Sequence, residues 1–308
     1  MNKIDKSKIS VLLTAFNGTS WLTKQIISII HQQQKNTAIY ISIDPSTDNT
    51  EALCHQLAKQ EPRITTLPNI GKFGGAAPNF FRLIRDVDFS DCNYIAFSDQ
   101  DDIWHPDKLS RAVQMLTENN CDGYSSNVTA FWSDGRQQLI DKAQPQAQWD
   151  YLFESAGPGC TFVMTQKLAL EVQAFVRSNQ EAMASVWLHD WFTYAFARSH
   201  GHQWYIDKYP SMLYRQHDNN QVGVNTDYKA FLYRMRFVLS GKALNQSSLL
   251  ATLCGLEDHP FVKRWHKHSR LGLLYLAFQA TQCRRKRSEQ IMFFFSCVLL
   301  AIVGQKKS

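Results

Sequence analysis

Short apolar runs and amphipathic helical segments alternate over about residues 8–117, and this alternation constrains the fold more than any other feature. The apolar runs are ISVLLTAF, AIYISID, RITTL and YIAFSD, and a segment with helical spacing follows each. Continuous apolar strands of this kind are typical of parallel sheets that are buried on both faces. The pattern therefore predicts an α/β fold, an open parallel sheet with helices on both faces.

Polar side chains follow these strands at the points where the strands end. They are Asn17, Asp44 and the acidic group Asp99, Asp101 and Asp102. Ligands of open α/β sheets bind outside the carboxyl ends of the strands. We therefore expect these residues to gather along one ligand-binding edge.

Three carboxylates within the segment SDQDD repel one another unless a cation compensates their charge. A divalent metal is one explanation, because Mg²⁺ and Mn²⁺ prefer oxygen ligands. A helix cap by Asp102 or Asp107 is a second explanation, and a solvated acidic turn is a third. The residues alone leave these three open.

The chain has 308 residues and 44% hydrophobic content, enough for a sizeable core. No run of about 18 apolar residues predicts a transmembrane helix. The N-terminal segment lacks an apolar signal region. The seven cysteines form no C-x-x-C pair, which argues against a disulfide framework or a zinc site. These features predict a cytoplasmic protein.

Several motifs in chain order resemble glycosyltransferase family 2, in particular its bacterial rhamnosyltransferase-like branch. They are VLLTAFNG, SIDPSTDNT, NIGKFGGAAPNFF, FSDQDDIWHP, GPGCTFVM, LHDWF and YRQHDNNQVG. The resemblance implies a GT-A type fold, with a central mostly parallel sheet flanked by helices. It implies a catalytic domain at residues 1–225, with a nucleotide-binding half at about 8–120 and an acceptor half at about 121–225. Residues 226–308 then form a helical, basic and apolar C-terminal extension.

The resemblance also implies roles at the strand ends. It assigns donor contacts to Thr14, Ala15, Asp44, Asn79, Asp99, Asp102 and Arg215. Asp101 and His217 would hold Mn²⁺ or Mg²⁺. Asp102 could instead cap the following helix, and both alternatives stay open. The family pattern has two acids and a glycine where this chain has Ile43, Asp44 and Pro45, so one acid and the glycine are missing here.

Asp190 matches the position of the family's catalytic base. Such a base deprotonates the acceptor hydroxyl, and a single base opposite the leaving group implies inversion. The residues alone allow a plainer reading, in which Asp190 caps a helix and His189 is a packing residue. The resemblance places Gly159, His189 and Trp191 on the acceptor side.

The C-terminal segment is strongly basic. Residues 261–308 contain ten Lys or Arg and one acid, Glu289. A basic cluster, Arg284 to Arg287, precedes an apolar run from Ile291 to Val303 that is too short to span a bilayer. This run could pack in the core or lie beside anionic lipid, peripherally on the cytoplasmic face of the inner membrane. No motif indicates nucleic-acid binding.

The expected function is metal-dependent, inverting transfer of rhamnose or a related hexose. The donor would be dTDP- or UDP-linked, and the acceptor a saccharide or lipid-linked saccharide of a bacterial surface polysaccharide. Two alternatives remain. The chain could be a non-catalytic member that binds saccharide or acts as a scaffold, or, with less support, a nucleotidyltransferase.

Overall fold

The computed structural model describes residues 7–217 and 240–304. The predicted domain boundary after residue 225 and the end of the YRQHDNNQVG motif lie outside these residues. The described residues belong to two compact units. The first lies within Met1–Ala143 and Ala156–Asn220, and the second within Gln144–Ser155 and Gln221–Ser308.

The first unit contains an α/β sheet with its helices. Its strands are β1 (Ile9–Ala15), β2 (Thr37–Ile43), β3 (Ile64–Thr66), β4 (Tyr94–Ser98), β5 (Ile103–Trp104), β6 (Gly123–Phe131), β7 (Gln137–Ile140), β8 (Val163–Thr165) and β9 (Trp204–Arg215). Its helices are α1 (Leu22–Ile30), α2 (Thr50–Gln60), α3 (Ala76–Asp86), α4 (Lys108–Glu118), α5 (Gln166–Ser178), α6 (Gln180–Met183) and α7 (His189–Ser199).

The strands of the described residues form one sheet in the order β3-β2-β1-β4-β8-β6-β9-β5, with β7 paired to β6. The strands β3, β2, β1 and β4 are all parallel, as the strand–helix alternation predicts. Further along the sheet, β8 is antiparallel to both β4 and β6, whereas β6 and β9 are parallel. Strand pairing is therefore parallel among β3, β2, β1 and β4, and it is mixed beyond β4.

Strand β1 lies inside the sheet because its side chains are buried on both faces. Every residue of β1 is buried. Helix α1 presents Leu22, Ile26 and Ile29 to the core on one face, at the spacing of an amphipathic helix. The carboxyl ends of β1, β2 and β4 lie side by side, because Leu13 pairs with Ser98 and Ala15 with Ile43.

The second unit is helical. Its helices are α8 (Lys242–Leu253), α9 (Pro260–Trp265), α10 (Arg270–Phe278), α11 (Ala280–Cys283) and α12 (Arg287–Val303). The segment Gln144–Ser155, which the sequence assigned to the acceptor half, belongs to this unit. Trp149 of that segment stacks on Phe261 with ring centroids 4.6 Å apart. The C-terminal extension therefore shares its core with a segment from the middle of the chain.

Part of the basic cluster is internal to this unit. The Arg285 side chain is fully buried between Asp150 and Glu154, at 3.4 and 3.3 Å. Arg284 forms a short hydrogen bond with Glu289 and donates to the carbonyl of Phe153. These arginines neutralise buried acids, so they are unavailable to an external partner.

The apolar run at the C-terminal end of the chain lies in α12. One face of the helix buries Cys297, Leu300 and Ala301. Large side chains on the opposite face are exposed. Of the helices in the described part of the chain, none has the length and apolar character needed to cross a membrane.

Candidate functional site

The loops after β1 and β2 are joined by hydrogen bonds at the carboxyl edge of the sheet. Asn17 adopts a left-handed backbone conformation with φ 47°. Its side-chain Oδ1 accepts from the backbone N–H of Thr47 at 2.8 Å. The backbone N–H of Gly18 donates to Thr50 Oγ1 at 2.7 Å. Asn17 therefore turns the chain and fixes one loop against the other, a role that its turn-forming residue type suggests.

Gln100 connects the acidic loop to the end of β1. Its Oε1 accepts from the Phe16 N–H at 2.8 Å, and its Nε2 donates to the Phe16 carbonyl at 2.7 Å. A Cβ on Gly18 would lie 2.1 Å from Gln100 Oε1, so a larger residue at this position would have to displace the Gln100 amide. The sequence patterns predicted no role for Gln100. Its position between Asp99 and Asp101 is the one sequence feature that could have indicated a role at the site.

The predicted base-contacting residues Thr14 and Ala15 lie within the sheet, and both side chains are buried. The carbonyl of Ala15 accepts from the Asp44 N–H at 2.8 Å. The next side chain, Phe16, is 49% exposed at the ligand edge. An aromatic ring for which the sequence predicted no role is therefore exposed beside these two residues.

Asp44 ends β2 and holds the loop that precedes α3. Its carboxylate oxygens accept from the backbone N–H groups of Phe73 and Gly74, each at 2.9 Å. Gly74 has φ +80°, which favours glycine at this point. The carboxylate therefore has a structural role at the predicted base site, in addition to any contact with a donor.

Asn79 lies in α3 and points into the protein. Its Nδ2 donates to the Ser42 carbonyl at 3.2 Å, and its Oδ1 accepts a short hydrogen bond from the Ser42 hydroxyl. The side chain is buried. This amide therefore links α3 to β2, and the direct donor contact of Asn79 stays a prediction.

Asp101 and His217, the two predicted metal ligands, lie together. His217 Nε2 is 2.7 Å from Asp101 Oδ2. The His217 ring stacks on Trp21 with centroids 4.4 Å apart. Arg215 donates from Nε to the Asp101 carbonyl at 2.8 Å, and its guanidinium lies 4.5 Å from the Phe131 ring centroid. Strand β9 thus brings Arg215 and His217 to the acidic loop.

Asp102 faces away from solvent and is fully buried. Its Oδ1 accepts from the Arg215 N–H at 3.1 Å. Its Oδ2 is buried without a hydrogen-bond partner in the described parts of the chain. Because α4 begins only at Lys108, Asp102 does not cap that helix. The helix-cap alternative for Asp102 is therefore wrong, and the sugar contact stays a prediction for this buried carboxylate.

Cys160 and Lys108 complete this buried group. The ligand atoms of Asp99, Asp102 and Cys160 all lie within 4.8 Å of one another. Burial lowers the pKa of Lys108 to about 8, against the attraction of Cys160 and Asp102. The Lys108 Nζ lies 4.0 Å from the Trp104 ring centroid. No sequence signal predicted this cation, because a lysine in the first turn of an amphipathic helix is usually exposed.

Like charges and burial act together on the acidic group. Burial, followed by the charges of Asp101 and Asp190, raises the pKa of Asp99 to about 7. Burial, followed by Asp101 and Asp99, raises the pKa of Asp102 well above its ordinary value. Burial also raises the pKa of the Cys160 thiol well above its ordinary value, so the thiol stays protonated.

The predicted catalytic base, Asp190, lies near the acidic cluster, because Gly159 packs against it and the thiol of the next residue, Cys160, lies within 4.8 Å of the Asp99 carboxylate. Asp190 is in the first turn of α7, and its Oδ1 accepts from the Trp191 N–H at 2.7 Å. A Cβ on Gly159 would lie 3.0 Å from the Asp190 Cβ and 2.6 Å from His189 Nε2. The glycine therefore lets its turn approach the start of α7 closely.

His189 is a packing residue. Its ring stacks on Phe80 with centroids 3.8 Å apart and meets Phe97 edge-on. Burial lowers the pKa of His189 to about 3, so the ring is neutral. Neither ring nitrogen has a hydrogen-bond partner among the residues that the structure describes. The ring therefore packs as the plainer reading predicts, and an acceptor contact of His189 stays a prediction.

Trp191, the other predicted aromatic acceptor residue, is also mostly buried. Trp187, just before α7, is 39% exposed instead. Trp187 is thus the more exposed of these two aromatic side chains, and the acceptor contact of Trp191 stays a prediction.

Comparison with known proteins agrees with this geometry. The family model for glycosyl transferase family 2 matches residues 10–169. The chain is 43% identical to the dTDP-rhamnosyl transferase RfbG of Shigella flexneri over 93% of this chain and 99% of that protein. It is 24% identical to the UDP-Glc:alpha-D-GlcNAc-diphosphoundecaprenol beta-1,3-glucosyltransferase WfgD of Escherichia coli, over 58% of this chain and 68% of that one.

Among solved structures, the mannosyltransferase PcManGT from Pyrobaculum calidifontis, in complex with GDP-Man and Mn²⁺, superposes with a TM-score of 0.54 at 12% identity. The match covers 97% of this chain and 88% of that one. It confirms the GT-A type fold, with helices around the central sheet and a helical C-terminal part. On its sequence and its fold, the chain belongs to glycosyltransferase family 2.

Proposed function

We propose that this enzyme transfers rhamnose, or a related hexose, from a dTDP- or UDP-linked donor to a saccharide acceptor. The extended identity to a dTDP-rhamnosyl transferase supports the donor class. The diphosphoundecaprenol acceptor in the name of WfgD supports a lipid-linked acceptor. The reaction would serve the synthesis of a bacterial surface polysaccharide, O-antigen or capsule. The enzyme would then act at the cytoplasmic face of the inner membrane.

The observation that carries this proposal is the position of Asp190 near the strand-end acids, with Gly159 packed against Asp190 and the adjacent Cys160 thiol within 4.8 Å of the Asp99 carboxylate. In the proposed reaction, the donor lies along the carboxyl edge, with its base towards Asp44 and its sugar towards Asp99. Asp190 then accepts the proton of the acceptor hydroxyl as the new bond forms at the anomeric carbon. Because the attacking and leaving groups lie on opposite faces of the sugar, the configuration inverts.

The acidic cluster fits a divalent cation, Mn²⁺ or Mg²⁺. Carboxylates whose pKa is raised by neighbouring acids are stabilised by a bound cation. Asp101 Oδ2 and His217 Nε2, 2.7 Å apart, offer an oxygen and a nitrogen to one ion. The protonated Cys160 thiol is a poor ligand for such an ion. We assign the cation to Asp101 and His217, with Asp99 alongside.

When bound, the cation neutralises the charge of the departing diphosphate. The chain's own groups do the remaining work. Gln100 holds the acidic loop to β1 through Phe16, and Arg215 holds the Asp101 peptide. The Arg215 guanidinium lies beside the acidic loop, where it can meet a donor phosphate. The buried Asp102 and Lys108 support this loop from below.

A donor panel tests the proposal. The purified enzyme is incubated with dTDP-rhamnose, UDP-glucose and GDP-mannose, an undecaprenyl diphosphate-linked saccharide, and either Mn²⁺, Mg²⁺ or EDTA. We expect transfer from a dTDP- or UDP-linked donor, loss of transfer in EDTA, and an inverted linkage by NMR. Absence of nucleotide-sugar binding would favour the non-catalytic alternative. Release of inorganic diphosphate from a nucleoside triphosphate would favour nucleotidyl transfer, which family membership disfavours.

A further inference from the structure

The second unit exposes an apolar surface on α10 and α12. We define this surface by the side chains Leu271, Phe278, Ile291, Phe295, Ile302 and Val303. Leu271 is 80% exposed, Phe278 74%, Ile302 68% and Phe295 64%. Large apolar side chains scattered singly need no explanation, but a contiguous group of them marks an interaction site.

Helix faces and ring contacts join Leu271, Phe278, Ile291, Phe295 and Ile302 into one surface. Within α10, Leu271 and Phe278 are seven positions apart and share a helix face, and Leu273, Leu276 and Ala277 are buried. In α12, Ile291, Phe295 and Ile302 share a face opposite the buried residues. Ring contacts join the helices, from Phe278 to Phe294 at 5.7 Å and from Phe294 to Phe295 at 5.4 Å.

Basic side chains border this surface. Arg270 begins α10 directly before Leu271, and Arg287 begins α12 directly after Lys286. All three are exposed. Residues 240–304 contain nine Lys or Arg and three Asp or Glu. Two copies of such a surface would repel each other, whereas an anionic lipid layer supplies both opposite charge and an apolar interior.

We propose that the apolar surface of α10 and α12 inserts its side chains into the interface of an anionic lipid bilayer, with Arg270, Lys286 and Arg287 at the headgroups. Helices with one apolar face and basic flanks bind membranes in this way, lying in the plane of the interface. The idea that the acceptor is lipid-linked rests on the proposed function. The proposal of membrane binding rests only on the exposed apolar side chains and the basic residues beside them.

The structure changes which residues could carry this contact. Arg284 and Arg285 are engaged with acids inside the unit. The sequence cluster Arg284 to Arg287 therefore contributes only its second half. Two of the six apolar side chains, Leu271 and Phe278, come from α10, which the sequence pattern did not single out.

Co-sedimentation with vesicles of phosphatidylethanolamine and phosphatidylglycerol tests the proposal, with phosphatidylcholine vesicles as the neutral comparison. The full chain is compared with Leu271→Gln/Phe278→Gln/Phe295→Gln. Because these side chains are exposed, the substitutions should leave folding intact. We expect the partition coefficient of the triple variant onto the anionic vesicles to be lower than that of the parent by about tenfold or more. The matched control Leu139→Gln/Leu170→Gln replaces exposed apolar residues in the first unit and should bind like the parent.

A second comparison tests the charges. Arg270→Gln/Arg287→Gln should lose most of the preference for anionic over neutral vesicles, and salt should weaken the parent in the same direction. The control Lys35→Gln/Lys59→Gln removes two exposed charges from the first unit. Equal vesicle binding by the parent and the triple variant would overturn the proposal. The proposal would also be overturned if light scattering showed that the parent is a dimer, the triple variant is a monomer, and neither protein binds vesicles.

Transfer to a water-soluble saccharide acceptor is measured in parallel, and the triple variant should retain it. Loss of vesicle binding with that transfer retained supports the membrane surface. Absence of transfer by the parent, together with intact vesicle binding, would count against the proposed function and not against the surface.

Discussion

His217 Nε2 lies 2.7 Å from Asp101 Oδ2 across a sequence separation of 116 residues. The pair joins His217, which follows β9 closely, to the acidic loop after β4. The Trp21 ring stacks on the His217 imidazole and so fixes the plane of that ring. An oxygen and a nitrogen held this way form part of the coordination sphere that we propose for Mn²⁺.

His217→Ala and Asp101→Asn should each weaken Mn²⁺ binding about tenfold or more, because each removes one proposed ligand. Free Mn²⁺ is counted directly by electron paramagnetic resonance, so the result does not depend on turnover. The exposed histidine variant His55→Ala serves as the control. Unchanged Mn²⁺ affinity in both site variants would place the ion elsewhere.

Asp190→Asn should lower kcat by about 10²- to 10⁴-fold, since an amide cannot accept the acceptor's proton. Donor affinity, measured by calorimetry, should stay close to that of the parent. The exposed Asp91→Asn is the matched control and should retain full transfer. Parental kcat in the Asp190 variant would remove this residue as the base.

Gly159→Ala should lower kcat about a hundredfold, because the new Cβ would collide with His189 Nε2 and displace Asp190. Misplacement of a base lowers the rate while donor binding persists. Gly135→Ala is the comparison: it strains a hairpin backbone at φ +86° but meets no neighbouring atom. It should lower the melting temperature without changing kcat. A Gly159 variant with parental kcat would show that the turn and α7 can separate freely.

His189→Phe should make the protein less sensitive to acid. The pKa of His189 is about 3 in the folded state and about 6.5 when unfolded, so the unfolded chain binds the extra proton first. Stability from this group is complete above pH 6.5 and is lost as the pH falls towards 3. The parent should lose about 2 kcal/mol through this group between pH 7 and pH 5.

Urea unfolding at both pH values measures this difference. The phenylalanine ring keeps the stack on Phe80, so the variant should match the parent at pH 7 to within about 1 kcal/mol. The exposed His31→Phe is the control and should show the parent's acid sensitivity. An equally steep acid decline in the His189 variant would mean that the buried ring is protonated in the folded state.

Much of the site could be predicted because its positions follow from local patterns. Asp44 and Asp99 stand where apolar strands end, and parallel strands bring their ends to one edge. Asp190 was identified through its motif, and the structure brings it to Asp99. The inward turn of Asn79 could not be predicted, because its partner Ser42 is distant in the chain and both lie in a buried contact. The burial of Asp102 and His189 likewise depends on neighbours from other elements.

The sequence by itself determined the alternation of strands and helices, the family, and the acids at the strand ends. These depend on periodicity and residue type within a few positions of the chain. Only the tertiary structure decided that Gln100 holds Phe16, that Lys108 is buried beneath the acids, and that Gln144–Ser155 joins the C-terminal helices. Such pairings depend on which distant segments share a core, and burial then decides whether a charged side chain faces a ligand or the protein interior.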